Sequence, residues 1–148
     1  MLEGARTETI AARVEVVWAI VEDLESYPLW HPFFARVAVL ERDGDGRVVE
    51  ADCRHPTPVG ELTTRIGMTY RHGEEAEAVR LDGDLKSLRG GFTLRAEGER
   101  TSVTHRLAAD PGFKLGLVLR GAVGDRVRDS AIAGALEGLS RRAQQSAQ

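Results

Sequence analysis

The stretch Asp23-Leu24-Glu25-Ser26-Tyr27-Pro28-Leu29-Trp30-His31-Pro32-Phe33-Phe34 decides the reading of this chain. It holds four of the chain's eight Phe, Trp and Tyr residues, together with two prolines. Loops normally run over the surface and stay polar, because buried backbone needs hydrogen-bond partners. A loop this apolar either packs beneath another element or forms the lip of an apolar pocket. Upstream, Val14, Val17, Trp18, Val21 and Leu24 recur at helical spacing, which predicts a short helix over 14–23 with one buried face. Pro28 and Pro32 lack amide donors and restrict the residues before them, so any second helix over 25–30 is limited to a turn or two.

The rest of the composition narrows the class. A chain of 148 residues with 42% hydrophobic and 29% charged residues suits one soluble domain, here residues 1–148, able to bury its own core. The net charge of -3 argues against nucleic acid as a partner. The cations are almost all arginine, Lys86 and Lys114 being the only lysines. Cys53 is alone and cannot form an internal disulfide, as expected of a reducing cytoplasm. No charged-then-apolar leader follows Met1, and no apolar run approaches the roughly 18 residues of a membrane span. A cytoplasmic protein without an integral membrane segment is expected, as a monomer or homodimer.

From Ala35 to Ala109 the period changes to two. After an opening strand over Ala5–Ala11, strands are expected at Arg36–Glu41, through Val49, Ala51 and Cys53, through Leu62 to Tyr70, at Val79–Leu81, through Leu88, Phe92 and Leu94, and through Val103, His105 and Leu107. Asp-Gly and Gly turns separate them, which describes an antiparallel meander. A long helix is expected from about Lys114 to Arg142, with an apolar stripe of Leu115, Val118, Leu119, Ala122, Val123, Val127 and Ala131 and fraying from Gln144. Gly121, Gly124, Gly134 and Gly138 each weaken it by roughly 1 kcal/mol relative to Ala. Those glycines either break the helix near 121–124 or leave it slim, with room beside it.

The expected fold is therefore α+β: a six- to seven-stranded antiparallel sheet curved around a long C-terminal helix, with two short helices after the first strand. This order, with Val17-Trp18, the segment Asp23 to Pro32, Leu88-Arg89-Gly90-Gly91-Phe92-Thr93-Leu94 and Thr101-Ser102-Val103-Thr104, resembles the START-like (SRPBCC, helix-grip) superfamily. Within it the chain is most similar to polyketide cyclase/dehydrase proteins and to coenzyme Q-binding members. The resemblance implies an apolar cavity between sheet and helix. It implies either a cyclase/aromatase-like, lyase-type activity by acid–base residues without a cofactor, or non-catalytic binding and transport of a lipid or quinone, or a stress-related ligand-binding regulator. Gly90-Gly91 departs from the commoner pattern, in which a bulky aromatic often precedes the Phe, and removes a wall of the pocket or enlarges it.

Strand parity selects the polar groups that face such a cavity. His105 shares parity with Val103 and Leu107 and is a candidate general acid or base. Tyr70 follows Ile66 and Met68 inward, and its phenol is a candidate donor to a substrate carbonyl. Arg65 and Arg71 fall on the outward parity. His55 continues the inward parity of Cys53, while Tyr27, Trp30 and Phe34 are candidates for the mouth. Ile66, Met68, Phe92, Leu119 and Val123 complete the expected ligand-binding lining. The four histidines lie on different elements, so no zinc spacing arises and no metal or cofactor is expected. No nucleophile elbow, phosphate-cradling loop or EF-hand loop is present.

Overall fold

A computed structural model describes residues 1–146. Strand β1 (Leu2–Ile10) leads into helix α1 (Val14–Val21) and a 3-10 helix over Leu24–Leu29. Six strands follow: β2 (Arg36–Arg42), β3 (Val48–Thr57), β4 (Gly60–Arg71), β5 (Glu75–Gly83), β6 (Ser87–Glu97) and β7 (Arg100–Asp110). A short helix α2 (Gly112–Gly116) and a long helix α3 (Ala122–Ser146) complete the chain. The seven strands form one open antiparallel sheet in the order β1-β7-β6-β5-β4-β3-β2. Apart from β1, which pairs with β7 at the far edge, each strand lies beside its neighbour in sequence, as short Gly and Asp turns dictate.

Alternation places one face of every strand in the core. Leu62, Thr64, Ile66 and Met68 of β4 are buried, as are Leu88, Phe92 and Leu94 of β6 and Thr101, Val103, His105, Leu107 and Ala109 of β7. Helix α3 covers this face along β1 and β7 and also touches α1. Its buried residues are Ala131, Ile132, Ala135, Leu136, Leu139 and Ala143 with Gly124 and Gly138.

Of the two alternatives for the helix expected from Lys114, the break near 121–124 is the one found. Pro111 and Gly112 start α2, and Gly121, with φ +64°, stands immediately before α3. That left-handed backbone is cheap only for glycine, and it resets the chain direction before the long helix starts. The expected apolar stripe is thereby split: Leu119 and Ala131 are buried, whereas Val118 and Val123 are exposed. At the other end α3 continues through Gln144 to Ser146, so the described residues do not fray there; residues 147–148 lie outside them. No described helix is long and apolar enough to cross a membrane.

Candidate functional site

The 24–34 segment is held from three sides. Tyr27 donates its hydroxyl to Val21 O at 2.6 Å, and the His31 amide donates to Tyr27 O at 2.7 Å. The Ala35 amide then donates to Arg54 O at 2.8 Å, tying the segment to β3. The third hold is α3 itself. A Cβ on Gly134 would stand 2.6 Å from Pro32 Cγ, and one on Gly138 would overlap the Trp30 carbonyl. Glycines four apart lie on one helix face, so this notch takes the backbone of the segment directly. The room beside the slim helix is filled by the chain's own loop.

Between this segment and the sheet lies a narrow apolar cleft of about 40 Å³. Tyr27, His31, Phe33 and Phe34 wall one side, and Met68, Phe92, His105 and Leu107 the other. That volume holds about three waters. Phe33 and Ala131 also line a groove of about 170 Å³ on the outer side, with Pro32, Pro56 and Val127. The Phe33 ring thus separates the cleft from the groove.

Three histidines are buried around this cleft, and their partners assign each proton. His55 Nδ1 lies 2.8 Å from Phe33 O, which can only accept, so Nδ1 carries the hydrogen. His55 Nε2 then accepts from the Thr64 hydroxyl at 2.6 Å, which satisfies the ring completely. His105 Nδ1 donates to Gly91 O at 2.8 Å, leaving Nε2 as an acceptor. His31 is the opposite case: its Nδ1 accepts from the Phe33 amide at 3.2 Å, leaving Nε2–H as a donor. The His31 and His105 rings stand edge to face with centroids 5.5 Å apart. His105 is also stacked on Phe92 at 4.1 Å.

Burial keeps all three rings neutral. Loss of hydration pulls His105 down to about 4, against a smaller upward pull from its bond to Gly91. The same cause takes His55 to about 4, offset in part by its bond to Phe33. His31 is held well below its ordinary value by burial first, then by the neighbouring His105 and His55.

The other expected residues are distributed unevenly. Tyr70 is not brought to His105: its hydroxyl donates to Val48 O at 2.5 Å, and its ring meets Trp18 and the Arg47 guanidinium. Burial raises its pKa, and the phenol is committed to the backbone. Parity gave the right face but not the position along it. Tyr27, Phe34, Met68 and Phe92 line the cleft. Trp30 is buried against Tyr27 and Phe92, outside the cleft lining, and its indole Nε1–H has no partner among the described residues. His55 lies behind Phe33, stacked on its ring at 4.3 Å, and Ile66 is plain core. Leu119 is buried outside the cleft wall, and Val123 is 42% exposed because Gly121 turns the chain before it. Arg65 does face outward, paired with Asp52 at 2.8 Å. Cys53 is buried, and desolvation pushes its thiol up to about 12, the state of an inert core side chain.

Two residues were given no individual site role by the sequence. His31 sits in a loop, where no periodicity reports direction. Arg80 pairs in register with buried Ile66, so it stands on the concave parity, and its Nη2 donates to Gly83 O at 3.1 Å. Its alternation with Ala76 and Ala78 was a usable signal, masked by Val79 and Leu81 between and beyond them.

The glycine pair of β6 also has a structural cause. A Cβ on Gly91 would overlap the Ala76 carbonyl of the neighbouring strand, and one on Gly90 would stand 3.1 Å from Arg106 O. The backbone that accepts the His105 proton is therefore packed too closely for any side chain.

The family model described as polyketide cyclase/dehydrase and lipid transport matches residues 10–135, nearly the whole of this architecture. The chain belongs to that family. Among solved structures, this polyketide cyclase/dehydrase family member is similar to a START superfamily protein from Mycobacterium smegmatis, with 19% identity, 97% of each chain covered and a TM-score of 0.83. A protein from Thermus thermophilus matches at 19% identity over 99% of both chains, also with a TM-score of 0.83. The Zhui aromatase/cyclase from a Streptomyces species matches at 16% identity, 99% of this chain and 95% of that one, with a TM-score of 0.75. At such identities the likeness establishes the helix-grip fold of the family member and no more. No curated protein matches the sequence.

Proposed function

We propose that this protein binds a small, neutral, largely apolar molecule in the cleft over His105 and moves a proton on it, as a cofactor-free, lyase-type cyclase/dehydrase. The observation that carries this reading is the free Nε2 acceptor of a buried, neutral His105 set among apolar walls. Fixed by Gly91 and the Phe92 stack, the ring is unprotonated at pH 7 and available as a base, though a weak one. Taking a proton from a carbon beside a carbonyl leaves an enolate; its attack on a second carbonyl carbon forms the ring bond. The proton on Nε2 then returns to the new alkoxide oxygen, so the cyclisation is an isomerisation, and loss of water follows as a separate step. In this role His105 is the catalytic base, and Tyr70, turned to Val48, has no part.

A ligand larger than a few waters enters by displacement of Phe33, which joins the cleft to the outer groove. The lining apart from the two imidazoles and the Tyr27 ring edge is apolar, and this favours one second reading: a carrier of a lipid or quinone in which His105 only shapes the wall.

Native mass spectrometry of the protein from its own host identifies the molecule it carries. Turnover of that molecule is then compared between wild type and His105→Asn, whose amide retains a donor toward Gly91. Loss of turnover with binding retained supports the catalyst. Binding without any chemical change in wild type makes the protein a carrier.

A further inference from the structure

His31 and His105 both line the cleft and leave opposite kinds of atom unengaged. His31 Nδ1 is occupied by the Phe33 amide and His105 Nδ1 by the Gly91 carbonyl, so the first ring offers Nε2–H and the second offers an Nε2 lone pair. Both rings are buried and both line the cleft, with centroids 5.5 Å apart at 84°. Among the described residues neither Nε2 has a hydrogen-bond partner, unlike His55, whose two nitrogens are both engaged. Tyr27 is the other titratable group in the wall, and its hydroxyl is spent on Val21 O. Neither Nε2 is among the fully buried side-chain atoms that lack a partner, so the donor and the acceptor are open to the cleft rather than sealed in the core.

Resting on the binding function proposed above, we infer that His31 Nε2–H and His105 Nε2 form one donor–acceptor pair that selects a neutral ligand carrying a hydroxyl, and rejects carboxylates. The ligand hydroxyl donates to His105 Nε2, while its oxygen, or a carbonyl oxygen beside it, accepts from His31 Nε2–H. A carboxylate has nothing to donate to His105. It would also be desolvated in a cleft that offers no cation, since both rings resist protonation. His31 is thus a ligand-touching specificity residue supplied by the loop, opposite a catalytic candidate supplied by the sheet.

Two measurements test the pair. Nitrogen-15 chemical shifts of the imidazoles in the free protein at pH 7 read the tautomers directly; Nδ1–H on His105 and Nε2–H on His31 are expected. Titration with 2-naphthol, naphthalene and 2-naphthoate then reads the selection. Naphthol is expected to bind about tenfold tighter than naphthalene, the size of one or two net hydrogen bonds, and at least tenfold tighter than naphthoate. Asn at position 105 keeps a donor for Gly91, and Asn at position 31 keeps an acceptor for the Phe33 amide, yet neither reaches the cleft. His105→Asn and His31→Asn should each bring naphthol to within about threefold of naphthalene, read as the ratio of the two affinities within each variant. The reversed tautomer on either ring, equal binding of naphthol and naphthalene, or tight binding of naphthoate overturns the pair. Failure of all three probes to bind overturns the binding function itself, and the tautomers of the free protein still decide the pair.

Discussion

Residues 24–34 and residues 111–123 are alike in composition and differ in burial: of their large apolar side chains the first leaves only Leu29 exposed, and the second fully buries only Leu119. Each is apolar, each is marked by proline or glycine, and each breaks a helical run. Tyr27 and Trp30 are nevertheless buried, whereas Phe113 is 83% exposed and Leu117, Val118 and Val123 lie open beside it. The difference is the surface each one meets. The first segment has Gly134 and Gly138 removed from its path, so its backbone reaches α3 and its rings reach Phe92. The second has Gly116 and Gly121 within itself, where they shorten the helix and turn the chain without creating a complementary face. Apolar side chains are buried only where backbone can come close enough for them to pack.

Acid should separate the two regions most strongly. His31 belongs to the first segment and His55 and His105 pack against it, whereas the second contains no histidine. Below the ordinary imidazole pKa near 6.5 the unfolded chain takes up protons that the folded rings refuse until about pH 4. Stability is therefore complete above pH 6.5 and is lost as pH falls toward 4, by on the order of 3 kcal/mol for each of His55 and His105. Denaturant melts between pH 7 and 4 measure it; a flat profile would mean the rings are solvated and the cleft open.

Side-chain truncation comes next. Trp30→Ala should cost about 3–5 kcal/mol in chemical denaturation, as a large buried aromatic does, whereas Phe113→Ala should stay within about 0.5 kcal/mol. Equal losses would place the second segment in the core as well. Glycine replacement probes the cause itself. Gly138→Ala forces the Trp30 carbonyl away from α3 and should cost roughly 1–3 kcal/mol, with shifted Trp30 and His31 ring signals. Gly116→Ala meets nothing nearer than Pro111 Cγ at 3.9 Å and should leave stability unchanged or raise it by up to about 1 kcal/mol. The smallest effect concerns access: Phe33→Ala should quicken ligand entry with a modest change in affinity, read by stopped-flow fluorescence of a naphthalene probe.

Much of the fold was written in local periodicity. The two-residue alternation from β3 to β7 and the Asp-Gly turns between strands describe an antiparallel meander because backbone pairing and side-chain direction share that period. His105 could be assigned to the concave face by the same rule. Tyr70 shows its limit: parity fixes the face of a strand, while the position along the strand decides which neighbour the hydroxyl finds. Val123 shows another, since one left-handed glycine two residues earlier cancels the helical phase of everything before it.

By itself the sequence determined the α+β class, the antiparallel order and the importance of the Tyr27–Phe34 loop, because alternation, turn chemistry and misplaced hydrophobicity are local properties. Only the tertiary structure decided that the loop seats in the Gly134–Gly138 notch, that little space is left beneath it, and that His31 meets His105 there. Those facts depend on residues about a hundred positions apart approaching within a side chain's reach, and no local pattern carries that distance.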